Sequence, residues 1–146
     1  MKSIVIYFTQ SGTTKNAAEK IASKTNSKIV EMTSKDDYPG DFDDLVAKAK
    51  EQIDNDERPT INEDFDLSDY QTIYLGFPIW YRQPPMIIHS FFDKFDLKDK
   101  SIIPFITSAS SGFSVCTPYL NNMKTNAKIK DGFRSNSDLE IKNALN

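Results

Sequence analysis

The stretch SIVIYFTQSGTTKN, Ser3 to Asn16, decides how the rest of the chain is read. Ile4, Val5, Ile6, Tyr7 and Phe8 form a short unbroken apolar run, rich in β-branched and aromatic side chains. Such a run predicts a strand buried on both faces. It gives way to Thr9-Gln10-Ser11-Gly12-Thr13-Thr14, a turn of hydroxyls around one glycine. Ala17, Ala18, Ile21 and Ala22 then recur at helical spacing, so a helix begins near Thr13 or Thr14. Strand, hydroxyl turn and helix N-terminus in that order aim free backbone N–H groups and the positive end of a helix dipole at one spot. An anion, most often a phosphate, suits that spot.

Outward from this unit the chain alternates. Lys28 to Thr33 reads as a second strand. After the Pro39-Gly40 turn, Asp41 can cap a helix whose Phe42, Leu45, Val46, Ala49 and Ile53 form one apolar stripe. Thr72 to Phe77 reads as a third buried strand, and Pro84 and Pro85 suit the first turn of a helix that buries Ile88, Phe91, Phe92 and Phe95. Ser101 to Thr107 is a fourth strand, in which Pro104 lacks an N–H and calls for a bulge or a local pairing defect. A short helix around Pro118 to Met123, a weak fifth strand from Ala127 to Phe133, and a last helix follow. The capping box Ser137-Asp138-Leu139-Glu140 opens that helix, expected to bury Ile141, Ala144 and Leu145. Strands and helices in alternation mean an α/β fold: three layers, with helices on both faces of a five-stranded parallel sheet. With the order 2-1-3-4-5, the loops after strands one, three and four converge where ligands bind in such folds.

The 146 residues suit one domain spanning 1–146, and 38% hydrophobic with 27% charged is an ordinary composition for a folded, water-soluble chain. No run approaches a membrane span, and the first strand starts at once, so neither membrane attachment nor a signal peptide is expected. The single cysteine, Cys116, excludes an internal disulfide and offers no metal pattern, which makes a cytoplasmic setting the default. A net charge of −3 argues against nucleic acid. The charge is uneven: Asp54 to Asp69 holds seven acids against Arg58 alone, while Asn121 to Asn146 carries a small basic excess. The acidic stretch reads either as a solvated face or as a docking surface for a basic partner.

Chemistry concentrates in three loops. The first is neither a Walker A site nor a GxGxxG fingerprint. Yet Thr9, Ser11, Thr13 and Thr14 put four hydroxyls into six residues, where a helix cap needs one, and a phosphomonoester has three oxygens to saturate. The second, Pro78-Ile79-Trp80-Tyr81-Arg82-Gln83-Pro84-Pro85, carries the only tryptophan and could stack on a flat ring or simply pack at the rim. The third, from Thr107 through Ser108, Ala109, Ser110, Ser111 and Gly112 to Phe113, is small and polar and ends in an aromatic. Together they describe a ligand with a phosphate at one end and a large flat ring at the other. His89 reads as a surface or half-buried residue, and Cys116 lacks the C-x5-R of a phosphatase. No catalytic side chain and no metal ligand is assigned.

Thr9 to Thr14 resembles the phosphate loop of flavodoxins, [ST]-x-[ST]-G-x-T. Gly76-Phe77-Pro78-Ile79-Trp80-Tyr81, and Pro104-Phe105 leading into Thr107 to Gly112, are similar to the matching segments of short, single-domain flavodoxins. The likeness runs over essentially the whole chain. It implies non-covalent FMN, with Thr9, Gln10, Ser11, Gly12, Thr13 and Thr14 on the phosphate. It also implies Pro78, Ile79, Trp80 and Tyr81 along one side of the ring, and Thr107, Ser108, Ala109, Gly112 and Phe113 along the other. The implied work is electron transfer between a reductase and an acceptor, which would dock near the flavin edge and an acidic face. An NAD(P)H-dependent FMN or quinone oxidoreductase is the alternative. One departure favours the alternative: many electron-carrying flavodoxins have a glycine in the loop after strand three that lets a peptide turn over toward the reduced flavin, and no glycine lies between Pro78 and Pro85.

Overall fold

Ile4 and Ile6 face one way from the first strand and Val5 and Tyr7 the other, and this alternation builds two cores, one on each side of a single sheet. The computed structural model describes residues 2–146. Its strands are β1 (Lys2–Tyr7), β2 (Lys28–Glu31), β3 (Tyr70–Pro78), β4 (Ser101–Thr107), β5 (Lys128–Ile129) and β6 (Phe133–Arg134). Its α-helices are α1 (Thr13–Thr25), α2 (Phe42–Asp54), α3 (Met86–Lys94), α4 (Thr117–Asn121) and α5 (Asp138–Leu145). All pairings between these strands are parallel, and the order is β2-β1-β3-β4-β5 with β6 also on β4.

On one face, Ile4, Ile6, Ile73, Leu75 and Phe77 meet Ile87, Ile88 and Phe91 of α3 and Leu120 of α4. On the other, Val5, Tyr7 and Phe105 meet Ala17, Ala18 and Ile21 of α1 and Ile141 of α5. The alanines let α1 lie close to the sheet. Burying one side chain such as Ile21 or Phe91, both fully buried, contributes roughly 1.5–3 kcal/mol. Gly76 has a steric reason to be glycine: a Cβ there would lie 2.2 Å from the Phe105 ring. α1 ends at Asn26, whose left-handed backbone (φ 53°) brings the following N–H, that of Ser27, onto the Ala22 carbonyl at 3.0 Å.

The predicted order and every helix are present, with four corrections. Among the described residues the sheet has six strands rather than five, because the expected fifth strand is split into β5 and β6. The split lies opposite Pro104: β3 and β4 pair without interruption through Leu75–Pro104, while on the outer side β5 pairs Ser101 and Ile102, β6 pairs Phe105 and Ile106, and Ile103 and Pro104 fall between. A proline cannot donate across that gap. Pro85 is the N-cap of α3 and Pro84 precedes it, so both prolines sit just outside the first turn. Ala144 is exposed, since α5 touches the core through Ile141 and, partly, Leu145.

The fourth correction concerns α2. Asp41 caps it, accepting from the Asp44 N–H at 3.1 Å, but the stripe it carries is only partly covered. Phe42 is 74% exposed, Leu45 and Val46 are half-buried, and Ala49 and Gln52 are the buried positions. α2 leans on α3 and on the loop after β3, where the Tyr81 hydroxyl donates to the Val46 carbonyl at 3.3 Å. An apolar groove of about 350 Å³ remains between them, lined by Phe42, Leu45, Val46, Ile79, Trp80 and Tyr81 among others.

Candidate functional site

Parallel strands deliver every following loop to the same edge of the sheet, and three of those loops meet at Thr107. Its carbonyl accepts the Ile79 N–H at 3.0 Å, which ties the aromatic loop to the end of β4. Its hydroxyl lies 2.7 Å from the Thr14 hydroxyl, which ties the same point to the first turn of α1. Phe8, the residue after β1, packs edge-on against Trp80 with ring centroids 5.6 Å apart.

The hydroxyl turn closes on itself. Gly12 takes a left-handed conformation (φ 94°) with open space where a Cβ would be, and its N–H donates to Thr9 Oγ1 at 3.0 Å. Gly12 is also the N-cap of α1 and supplies no side-chain cap. The N–H groups of Thr13, Thr14 and Lys15 make no hydrogen bond among the described residues, as the first turn of a helix dictates. The exposed Ser11 and Thr13 hydroxyls sit 3.2 Å apart beside them. No acidic residue occupies that first turn, so the positive end of the dipole is not offset. Thr14 differs from its neighbours: it is 1% exposed and its hydroxyl is turned inward to Thr107, itself 3% exposed. Gln10 is tethered outward, its Nε2 donating to the Pro39 carbonyl at 3.2 Å.

The aromatic loop is a tight two-residue turn. Trp80 N–H donates to the Gln83 carbonyl at 3.0 Å, and Gln83 N–H donates back at 3.1 Å. Between them Tyr81 (φ 52°) and Arg82 (φ 63°) both occupy the left-handed region. That is the pattern of a type I′ turn, which ordinarily uses Asn-Gly, and each non-glycine residue there costs about 1–2 kcal/mol. Trp80 is half-buried in a three-ring cluster, 5.4 Å from Tyr38 and 5.6 Å from Phe8, all edge-on. It therefore forms a wall whose base is already packed. Burial raises the Tyr38 hydroxyl above its ordinary pKa, which keeps it a neutral donor to Gln52 Oε1 at 3.1 Å.

The third loop is held from outside. Asn136 Oδ1 accepts the Ser108 N–H at 3.0 Å, and Arg134 Nη2 donates to the Ser108 carbonyl at 3.0 Å. Ala109 is exposed, and the space over Gly112 is open. Phe113 is half-buried against Gly132, where a Cβ would come within 2.4 Å of its ring. Its ring thus covers the gap between β5 and β6. Pro78 ends β3 beside Thr107, in register with it.

The sequence-assigned positions thus lie at the ends of β3 and β4, in the loops after β1, β3 and β4, and in the first turn of α1, with the Phe113 ring turned back over the β5–β6 gap. Tyr38, Arg134 and Asn136 also belong at this sheet edge, though no sequence motif marks them. Topology could have found them, since the segments after β2 and β6 emerge at the same edge as the other three loops. A larger open groove of about 550 Å³ between α1 and α5, where Lys20 pairs with Asp138 at 2.6 Å, shares no residue with these loops.

Comparison with known proteins agrees with this fold. A family model described as flavodoxin matches residues 2–145. A flavoprotein structure from Bacteroides eggerthii superposes with a TM-score of 0.90 at 26% identity, covering 99% of this chain and 95% of that one. One from Bacteroides uniformis gives 0.85 at 30% identity, covering 99% and 97%. A flavoprotein from Lactobacillus acidophilus, solved in complex with FMN, gives 0.83 at 25% identity, covering 94% and 95%. No curated protein matches the chain.

Proposed function

The chain belongs to the flavodoxin family, and from that premise we propose that it binds FMN without a covalent link and carries electrons between partner proteins. The observation that supports this most is the meeting of three loops at Thr107, which joins an anion-binding turn to an aromatic one. The residues present fit the cofactor at both ends. For the phosphate there are the free N–H groups of Thr13, Thr14 and Lys15, the exposed Ser11 and Thr13 hydroxyls, and no carboxylate in the turn. For the ring there are the half-buried Trp80 and Ile79 on one loop and the exposed Ala109 with open space over Gly112 on the other.

FMN, when bound, supplies the electron-accepting ring. The chain's own part is to orient and to tune. The N-terminus of α1 anchors the phosphate by hydrogen bonds and dipole, while Thr14 braces that turn against Thr107. The Trp80 wall excludes water on one side, and the backbone of the third loop supplies hydrogen bonds on the other. No side chain is assigned a proton. Partner proteins would approach the exposed flavin edge, steered by acidic surface. Asp36, Asp44, Glu51 and Glu57, with Lys48 among them, line one hollow along α2, and its negative excess supports that approach. Among the described residues no helix is long and apolar enough to cross a membrane.

The apolar groove beside Trp80 favours one second reading, an NAD(P)H-dependent flavin or quinone reductase, because a hydrophobic acceptor could lodge there. An anaerobic reductive titration followed by visible absorbance tests the main reading: a yellow protein that reduces in two resolved one-electron steps is expected. A protein that stays colourless with added FMN would reject both readings. Steady NADPH oxidation with a quinone, without any added reductase, would decide for the second.

A further inference from the structure

The loop after β4 is gripped through every polar group of Ser108. Asn136 Oδ1 accepts its N–H at 3.0 Å, and Asn136 Nδ2 donates to its carbonyl at 2.9 Å. Arg134 Nη2 donates to the same carbonyl at 3.0 Å and to the Ala109 carbonyl at 3.4 Å, and Arg134 Nε donates to the Ser108 hydroxyl at 3.0 Å. That hydroxyl donates in turn to the Ser111 carbonyl at 2.5 Å. The far edge of the guanidinium meets Glu140 at 3.1 Å, and the capping box with Ser137 fixes the carboxylate in place. Ser108 therefore has no group left for a ligand.

The next two peptides are different. Ala109 and Ser110 are exposed, and their N–H groups make no hydrogen bond among the described residues. Each N–H belongs to a peptide whose carbonyl, that of Ser108 or Ala109, is held by the same guanidinium. A carbonyl that accepts a charge-assisted hydrogen bond polarises its peptide and strengthens the N–H on the other side.

We propose that Arg134, seated by Glu140, is a positioning residue that turns the Ala109 and Ser110 N–H groups into strong donors toward the flavin and so raises its reduction potential. The proposal rests on the FMN reading above. Reduction adds negative charge to the ring, and stronger donors favour the reduced form over the oxidised one.

The test compares FMN-loaded wild type with Arg134→Met and Glu140→Gln, reading both FMN affinity and midpoint potential. Arg134→Met should cut the ratio of affinities for reduced over oxidised FMN about tenfold, which lowers a two-electron midpoint by about 30 mV. Glu140→Gln keeps the capping residue type but leaves the guanidinium less compensated, so it should move the midpoint up. The opposite signs separate tuning from bracing, because both changes break the same ion pair. Weaker binding of both redox states with an unmoved midpoint, or shifts of one sign in both variants, would overturn the proposal. If Arg134→Met cannot hold FMN, Glu140→Gln decides by its sign alone. A wild type that ignores FMN would defeat the cofactor reading and this one with it. A wild type that binds FMN with a midpoint common to all variants would defeat only this one.

Discussion

Replacing Thr14 with valine keeps the side chain's shape and removes one hydroxyl from a pair sealed from water. Thr14 and Thr107 are 1% and 3% exposed, their hydroxyls are 2.7 Å apart, and neither hydroxyl has another partner among the described residues. Leaving one partner buried and unpaired costs about 1–3 kcal/mol, whereas removing both at once can be close to neutral. Thr14→Val and Thr107→Val should each lower stability by about 2 kcal/mol, and the double replacement by about 2 kcal/mol or less, a coupling of about 2 kcal/mol. Urea unfolding of the four proteins, with m unchanged, measures this directly. FMN affinity on the same set then tests the role of Thr14 in the phosphate turn. A hydroxyl committed to Thr107 leaves the two single variants equally affected. A hydroxyl that also holds the phosphate makes Thr14→Val the weaker binder. Single costs below about 0.5 kcal/mol that simply add would refute the buried strut.

Other outcomes follow from separate parts of the molecule. Arg82→Gly should stabilise the protein by about 1 kcal/mol, seen as a rise of a few degrees in Tm, because it relieves one left-handed non-glycine residue in the turn after Trp80. Cys116 is fully buried and its thiol is pushed up to about 11 by burial, so a disulfide reagent at pH 8 should label it about 100-fold more slowly in the native protein than in urea. With Tyr7, raised to about 12 mainly by burial, it makes the unfolded state release protons first; the contribution of this pair should be constant below about pH 9 and fall as pH rises toward 12. His89 is shifted the other way, by burial first and then by Arg58, so the unfolded state binds the proton more readily. Stability should therefore fall as pH drops below about 6.5, and His89→Gln should flatten that limb in urea midpoints taken from pH 7 to pH 5.

The architecture was legible where local chemistry and long-range packing agree. The apolar run at Ile4–Phe8, the cap at Asp41 and the box at Ser137–Glu140 each state their own structure, and all three are where the pattern puts them. Pro104 was legible as a defect but not as to which neighbour would show it. That depends on β3 pairing tightly through Leu75 while the outer strands are short enough to break. The stripe on α2 misled about burial, because periodicity reports which side is apolar and not whether anything covers it. Phe42 is uncovered since α2 rests against α3 and the Trp80 loop rather than flat on the sheet. Within the site, residue types identified the hydroxyl, aromatic and small-residue loops. Spacing carried no sign that Thr14 would face Thr107, a partner 93 residues away, or that Arg134 would reach Ser108. Such pairs appear only once the strand order has brought the loops to one edge.

On the proposed reading, α1's N-terminus holds the phosphate of a flavin whose ring lies by Trp80. Titrating the cofactor-free protein with FMN and with riboflavin, read by the fluorescence of the sole tryptophan, tests it most directly. Two charge-assisted hydrogen bonds from Thr13, Thr14 or Lys15 are together worth about 3 kcal/mol or more, so riboflavin should bind at least about 100-fold more weakly than FMN while still quenching Trp80. Equal affinities for the two flavins, or FMN binding that leaves Trp80 fluorescence unchanged, would contradict it.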